Sequence, residues 1–117
     1  MRCLVLCVRR YCMDNQLKRG MLDALVLSVL IKGDSYGYQI IKDLKPAIDV
    51  SESTLYPILK RLETGKFLSV YSVAHNGRLR KYYRISELGK QKIDEFLSDW
   101  KEIKTIYEFI ERERRTK

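Results

Sequence analysis

From Phe67 to Ile85 the apolar residues of this chain leave helical spacing, and near the middle of that stretch stands Asn76-Gly77. An Asn-Gly pair takes positive φ at both central positions of a tight hairpin turn at little cost. Phe67, Leu68, Val70, Tyr71 and Val73 before it, and Leu79–Ile85 after it, therefore read as two antiparallel strands turned at His75-Asn76-Gly77-Arg78. A lone hairpin is marginal in water, so the rest of the chain has to cover it. Everything else with a regular pattern is helical.

Before the hairpin come three helical stretches. Leu22, Leu25, Val26, Val29 and Leu30 fall at i, i+3, i+4, i+7 and i+8, one face of a first helix that Gly33 stops. Asp34 or Ser35 is placed to cap a second helix running through Tyr36, Tyr38, Ile40, Ile41 and Leu44, and Pro46 ends it by disfavouring helical geometry at Lys45. The third runs within Asp49–Gly65, with Ser51 or Ser53 as N-cap and a buried stripe of Leu55, Ile58, Leu59 and Leu62. Pro57 is tolerated if the cap is Ser53, because it then falls in the first turns. Gly65 suits the position just past the helix end.

After the hairpin Ser86 caps a long helix to Arg115, with Gly89 a weak residue in its first turn. Ile93, Trp100 and Tyr107 repeat every seven residues, and so do Phe96, Ile103 and Ile110, three further on. That is an a/d heptad stripe, widened by Leu97 and Ile106. At about 1.5 Å per residue the rod is roughly 45 Å long, more than so small a domain needs for itself. The stripe reads as an interface with a second copy, made by Ile93, Phe96, Leu97, Trp100, Ile103, Tyr107 and Ile110. The expected fold is mainly α with a small β-hairpin.

The charge is unevenly spread. The net +8 of the 117 residues divides into +3 over residues 1–50, +5 over 51–84 and zero over 85–117. The excess thus falls on the third helix and the hairpin, which points to a polyanion. A helix fits the major groove of duplex DNA. The face of the third helix opposite its apolar stripe carries Ser53, Thr54, Tyr56, Lys60 and Arg61, and the hairpin carries Arg78, Arg80 and Lys81, suited to phosphates. Enzyme chemistry is not expected: there is one histidine, at a turn, no Gly-rich phosphate loop, and no nucleophile with a nearby base.

Cys3, Cys7 and Cys12 are three cysteines within twelve residues, neither a disulfide framework nor, with the distant His75, a zinc pattern. No metal or other cofactor is expected. No apolar run approaches the ~20 residues that span a bilayer, and Cys3–Val8 is only six residues long and is followed by Arg9 and Arg10, unlike a secretory signal. The chain is read as cytoplasmic, without membrane contact. Residues 1–13 are taken as a loosely packed extension, with Met13 as an alternative start, 14–86 as the DNA-binding domain and 87–117 as the dimerisation helix.

The stretches LKRGMLDALVLSVL, DSYGYQIIKDL, SESTLYPILKRLE and NGRLRKYYRISELGK, about residues 17 to 90, resemble the PadR family of bacterial transcriptional regulators. The resemblance implies a winged helix-turn-helix whose third helix reads DNA, a homodimer through the C-terminal helix, and repression at a two-fold symmetric operator relieved by a small molecule. It implies DNA-facing positions at Tyr36, Ser53, Thr54, Tyr56, Lys60, Arg61, Gly77, Arg78 and Lys81. Tyr36 stands between core and interface, Tyr38 is expected in the core, and one of Tyr82 and Tyr83 faces inward. Trp100, the single tryptophan, either fills the subunit interface or stacks on a planar aromatic effector. The function read here is a DNA-binding repressor. The alternatives are a small basic RNA-binding protein and a coiled-coil interaction adaptor.

Overall fold

The computed structural model describes residues 18–116. The expectations for the N-terminal extension, its cysteines and Met13 fall outside them. The order is α1 (residues 18–29), β1 (Ser35–Tyr36), α2 (Gly37–Leu44), α3 (Glu52–Thr64), β2 (Leu68–His75), β3 (Arg78–Ile85) and α4 (Glu87–Arg115). The core lies where α1, α2 and α3 meet the base of the sheet. Val26, Leu27, Leu30, Ile40, Leu44, Leu68 and the stripe Leu55, Ile58, Leu59 and Leu62 close it.

The hairpin expected from Asn76-Gly77 is present, with φ of 51° and 77° at those residues and register running from Leu68 opposite Ile85 to His75 opposite Arg78. The sheet, however, has three strands in the order β1-β3-β2. Ser35 and Tyr36 pair with Tyr83 and Tyr82. This corrects the expected capping of α2: Ser35 is in a strand, Tyr36 is the N-cap, and no side chain caps the helix. Of the two alternating tyrosines, Tyr83 is buried and Tyr82 lies on the outer face.

Of the two caps expected for α3 one is used, and the roles of two glycines change. Ser51 caps α3 by accepting the Thr54 amide, so Pro57 is well inside the helix and cannot donate to the Ser53 carbonyl. The left-handed residue after α3 is Lys66 (φ 67°), not Gly65. Phe67 N–H donates to the Leu62 carbonyl and Lys66 N–H to that of Glu63, each at 2.9 Å, closing a Schellman turn. Gly65 is required for space, since a Cβ there would stand 2.5 Å from Phe67 Cε2.

Gly89 likewise has a packing role. Ser86 caps α4, its hydroxyl accepting from Gly89 N–H at 3.1 Å and donating to the Lys66 carbonyl at 2.8 Å. Ser86 N–H donates to the Phe67 carbonyl at 3.0 Å. The first turn of α4 is thereby pressed onto the α3–β2 junction, and a Cβ at Gly89 would run into the Phe67 carbonyl and stand 2.7 Å from Ile85 Cγ1. Alanine is the better helix former by about 1 kcal/mol, yet forced overpacking against backbone costs about 1–3 kcal/mol. Gly89→Ala is therefore expected to lower the midpoint of urea unfolding; a raised midpoint would show that the junction relaxes freely.

Candidate nucleic-acid interface

The outward surface of α3 follows from its amphipathic pattern. With Leu55, Ile58, Leu59 and Leu62 buried, Ser53, Thr54, Tyr56, Pro57 and Lys60 are exposed. At its start the Ser51 hydroxyl lies 3.0 Å from that of Ser53 and donates to that of Thr54 at 3.2 Å, so a cluster of short hydroxyls surrounds the first amides of the helix. Donor-rich helix starts of this kind suit phosphate oxygens.

Between α3, the start of α2 and the hairpin opens a cleft of about 700 Å³. Tyr36, Gly37 and Tyr38 form one wall, Tyr56 another, and His75, Arg78, Arg80 and Lys81 the hairpin side. Gly37 makes the close approach possible, since a Cβ there would be 2.5 Å from the Tyr56 hydroxyl. The Arg80 guanidinium sits 4.1 Å from the centre of the Tyr36 ring. That ring meets Tyr82 edge-on at 5.5 Å, and Tyr82 stacks on Tyr71 at 5.7 Å. A continuous cation–aromatic ladder therefore runs along one face of the sheet from the cleft to its far edge.

Asp34 anchors the far end of that ladder. The Tyr71 hydroxyl donates to Asp34 Oδ2 at 2.6 Å and Arg84 Nη2 lies 3.0 Å from the same oxygen. The hydrogen bond from Tyr71, then that from Arg84, holds the Asp34 carboxyl below its ordinary pKa, while Asp34 pushes Tyr71 and Arg84 up. The clamp ties the loop before β1 to both strands of the hairpin, and so fixes the hairpin against the helical body.

The cleft brings together Tyr36, Tyr56, Arg78, Arg80 and Lys81. Gly77 forms the hairpin turn through its positive φ. Ser53 and Lys60 are on the exposed face of α3, and Thr54 lines a separate groove with Lys18, Met21 and Leu25. Arg61 is not in the cleft; its Nη2 is paired with Asp23 Oδ1. Tyr38, expected in the core, is 59% exposed, because Ile40 and Leu44 fill the inner face of α2 and leave Tyr38 outside, beside Lys42 Nζ at 5.3 Å. Tyr38 and His75 were given no place in the site by pattern. Only the packing of the hairpin over the start of α2 places them there.

The apolar stripe of α4 divides. Ile93, expected in the interface set, is partly buried against the core of its own domain. Phe96 is half-buried and stacks on Trp100 at 6.1 Å with planes 10° apart. From Leu97 to Thr116 every residue is exposed, Leu97, Trp100, Ile103, Ile106, Tyr107 and Ile110 among them. No helix among the described residues is long and apolar enough to cross a membrane.

Residues 26–95 match the transcriptional regulator PadR-like family. An uncharacterized protein of Lysinibacillus sphaericus is 35% identical over 98 residues, covering 79% of this chain and 89% of that protein. A PadR-like transcription factor from Bacteroides fragilis superposes with a TM-score of 0.74 at 35% identity, over 84% of this chain and 97% of that one. Bacillus subtilis PadR, solved in complex with operator DNA, superposes with a TM-score of 0.62 at 27% identity, over 66% of this chain and 45% of that one.

The Asp34 clamp gives a signed pH dependence. A depressed carboxyl pKa contributes stability that is present above the ordinary aspartate value of 3.8 and is lost as pH falls through the lower value in the folded protein. Asp34→Asn should lower the urea midpoint at pH 7 and leave a smaller drop between pH 5 and pH 2 than in the parent. An unchanged acid limb would show that the clamp does not couple to folding.

Proposed function

The chain belongs to the PadR-like family of transcriptional regulators, and from that premise we propose that it acts as a homodimeric repressor, binding duplex operator DNA through α3 and the hairpin and released by a small aromatic effector. The observation that carries this reading is the cleft itself: it sets the outer face of α3 beside Arg78, Arg80 and Lys81, within the segment holding most of the net positive charge. The hairpin is the wing. Tyr56 and Lys60 read base edges in the major groove, the hydroxyls of Ser53 and Thr54 approach the backbone, and Tyr36 and the wing cations hold phosphates. That the Bacillus subtilis relative is solved in complex with operator DNA supports duplex DNA as the partner.

Residues 14–86 form the DNA-binding unit in this reading, 87–117 the dimerisation helix, and 1–13 an extension of it. The stripe from half-buried Phe96 through the exposed residues Leu97 to Ile110 is the dimer contact. An apolar helix face of that length left in water has no source of stability other than a partner. Trp100, stacked on Phe96 and 38% exposed, is the group against which a planar effector stacks where two copies of α4 cross. Binding there shifts the angle between the winged domains, and with it the half-site spacing they span.

Binding of the protein to duplex DNA from upstream of its own gene, against random duplex and single strand over a salt series, tests the reading. Lys81→Ala should weaken both duplexes alike and make the slope of log affinity against log salt shallower by about 0.9. Tyr56→Ala should instead narrow the gap between operator and random DNA; equal loss on both would remove α3 as the reader. Preference for single strands would favour an RNA-binding role.

The dimer has its own test. Ile103→Glu places a carboxylate in the apolar contact, an uncompensated burial costing several kcal/mol. The variant is expected to be monomeric by light scattering and to lose the two-fold operator, and persistence of the dimer would put the contact elsewhere.

A further inference from the structure

Asp23 is buried, 6% exposed, on the α1 side of the core. Its Oδ1 receives Arg61 Nη2 at 2.5 Å from 38 residues further along the chain. Arg61 belongs to α3, next to the exposed Lys60, and its own side chain keeps 40% of its surface in solvent. The helix that presents Tyr56 and Lys60 therefore carries a second cation, near enough to solvent to be drawn by a polyanion but turned back onto a carboxylate.

We propose that Asp23 limits the sequence-independent affinity of the reading helix: it holds Arg61 on the protein and keeps that cation off the DNA backbone. The inference rests on the DNA-binding reading above. Phosphate contacts add affinity without sequence information, so each further cation free to reach the backbone raises binding to every site in the cell along with the operator. A carboxylate offers the same charge sign and oxygen geometry as a phosphate, and arginine pairs with either. What decides between them is burial. Arg61 leaving for a phosphate would strand a buried, unpaired carboxylate, and breaking one side of such a pair is strongly unfavourable. Asp23 thus acts as an internal substitute for a phosphate, and Arg61 adds nothing to the count of contacts made with DNA.

The test compares the parent protein, Arg61→Gln and Asp23→Asn on operator and random duplexes over a salt series. An asparagine oxygen still accepts from Arg61, so Asp23→Asn retains a hydrogen bond at the site, while Arg61→Gln removes the cation with a polar, shorter side chain. Arg61→Gln should leave the salt slope at the parent value. Asp23→Asn, with no charge to retain Arg61, should steepen the slope by about 0.9 and raise affinity for random and operator duplexes alike. A merely structural role for Asp23 would not steepen the slope. A slope made shallower by about 0.9 in Arg61→Gln, or unchanged in a folded Asp23→Asn, overturns the proposal. Where circular dichroism shows a variant unfolded, the parent protein decides: the Arg61 guanidinium NMR signals should stay in place when random duplex is added, and their displacement overturns the proposal. A parent protein with no salt-dependent duplex binding overturns the DNA-binding reading itself, and this inference falls with it.

Discussion

The carbonyl of Phe67 is where the two halves of this molecule are joined. It accepts the Ser86 amide at 3.0 Å, and the first turn of α4 lies against it because Gly89 has no side chain. One residue earlier, the Lys66 carbonyl takes the Ser86 hydroxyl. The end of α3, the entry to β2, the exit from β3 and the start of α4 are thus fixed within a few residues of one another. The direction in which the long helix leaves the body is set there, since α4 meets the rest of the chain at its base and is exposed from Leu97 onward. Any influence passing between the exposed stripe and the cleft has to cross this junction.

The Schellman turn explains why the junction can be so tight. With Lys66 in the left-handed region the chain reverses at once, and Phe67 folds back over Gly65. A lysine at positive φ is mildly strained, whereas Gly65 serves contact with an aromatic ring. The two roles that glycine usually fills together at a helix end are divided here between neighbours. On the opposite edge of the sheet the Asp34 clamp completes the arrangement. The hairpin is held at its base by Phe67 and Ser86 and along its side by Tyr71, Arg84 and Asp34, leaving Asn76-Gly77 as its projecting tip.

Features decided by one local interaction could be read from the residues alone. The Asn-Gly turn, the Leu55–Leu62 stripe, the Ser86 cap and the end of α2 before Pro46 each depend on a few neighbouring residues. What could not be read is non-local. Ser35 and Tyr36 form a strand only because β3 offers them a free edge, and two residues are too few to show a period. Arg61 has the spacing of an outward cation, and nothing near it in sequence announces Asp23, 38 positions away. Tyr38 and His75 enter the cleft through the packing of the hairpin over α2. Ile93 fits the heptad as well as Trp100 does, and is separated from it only by where the body of the domain ends. Family resemblance could mark which positions matter, but not which of two cations was already held.

The solvated length of α4 has a thermodynamic consequence. From Leu97 to Thr116 the helix has no tertiary support from the other described residues, and an isolated helix of some twenty residues is marginal in water. Its hydrogen bonds persist to the extent that something covers the stripe, so order in this segment is linked to association by mass action. With a second copy as the proposed cover, protein concentration becomes a structural variable. Dilution would fray the last turns before it disturbs the winged body, and the number of molecules in a cell would set how much of the chain is folded.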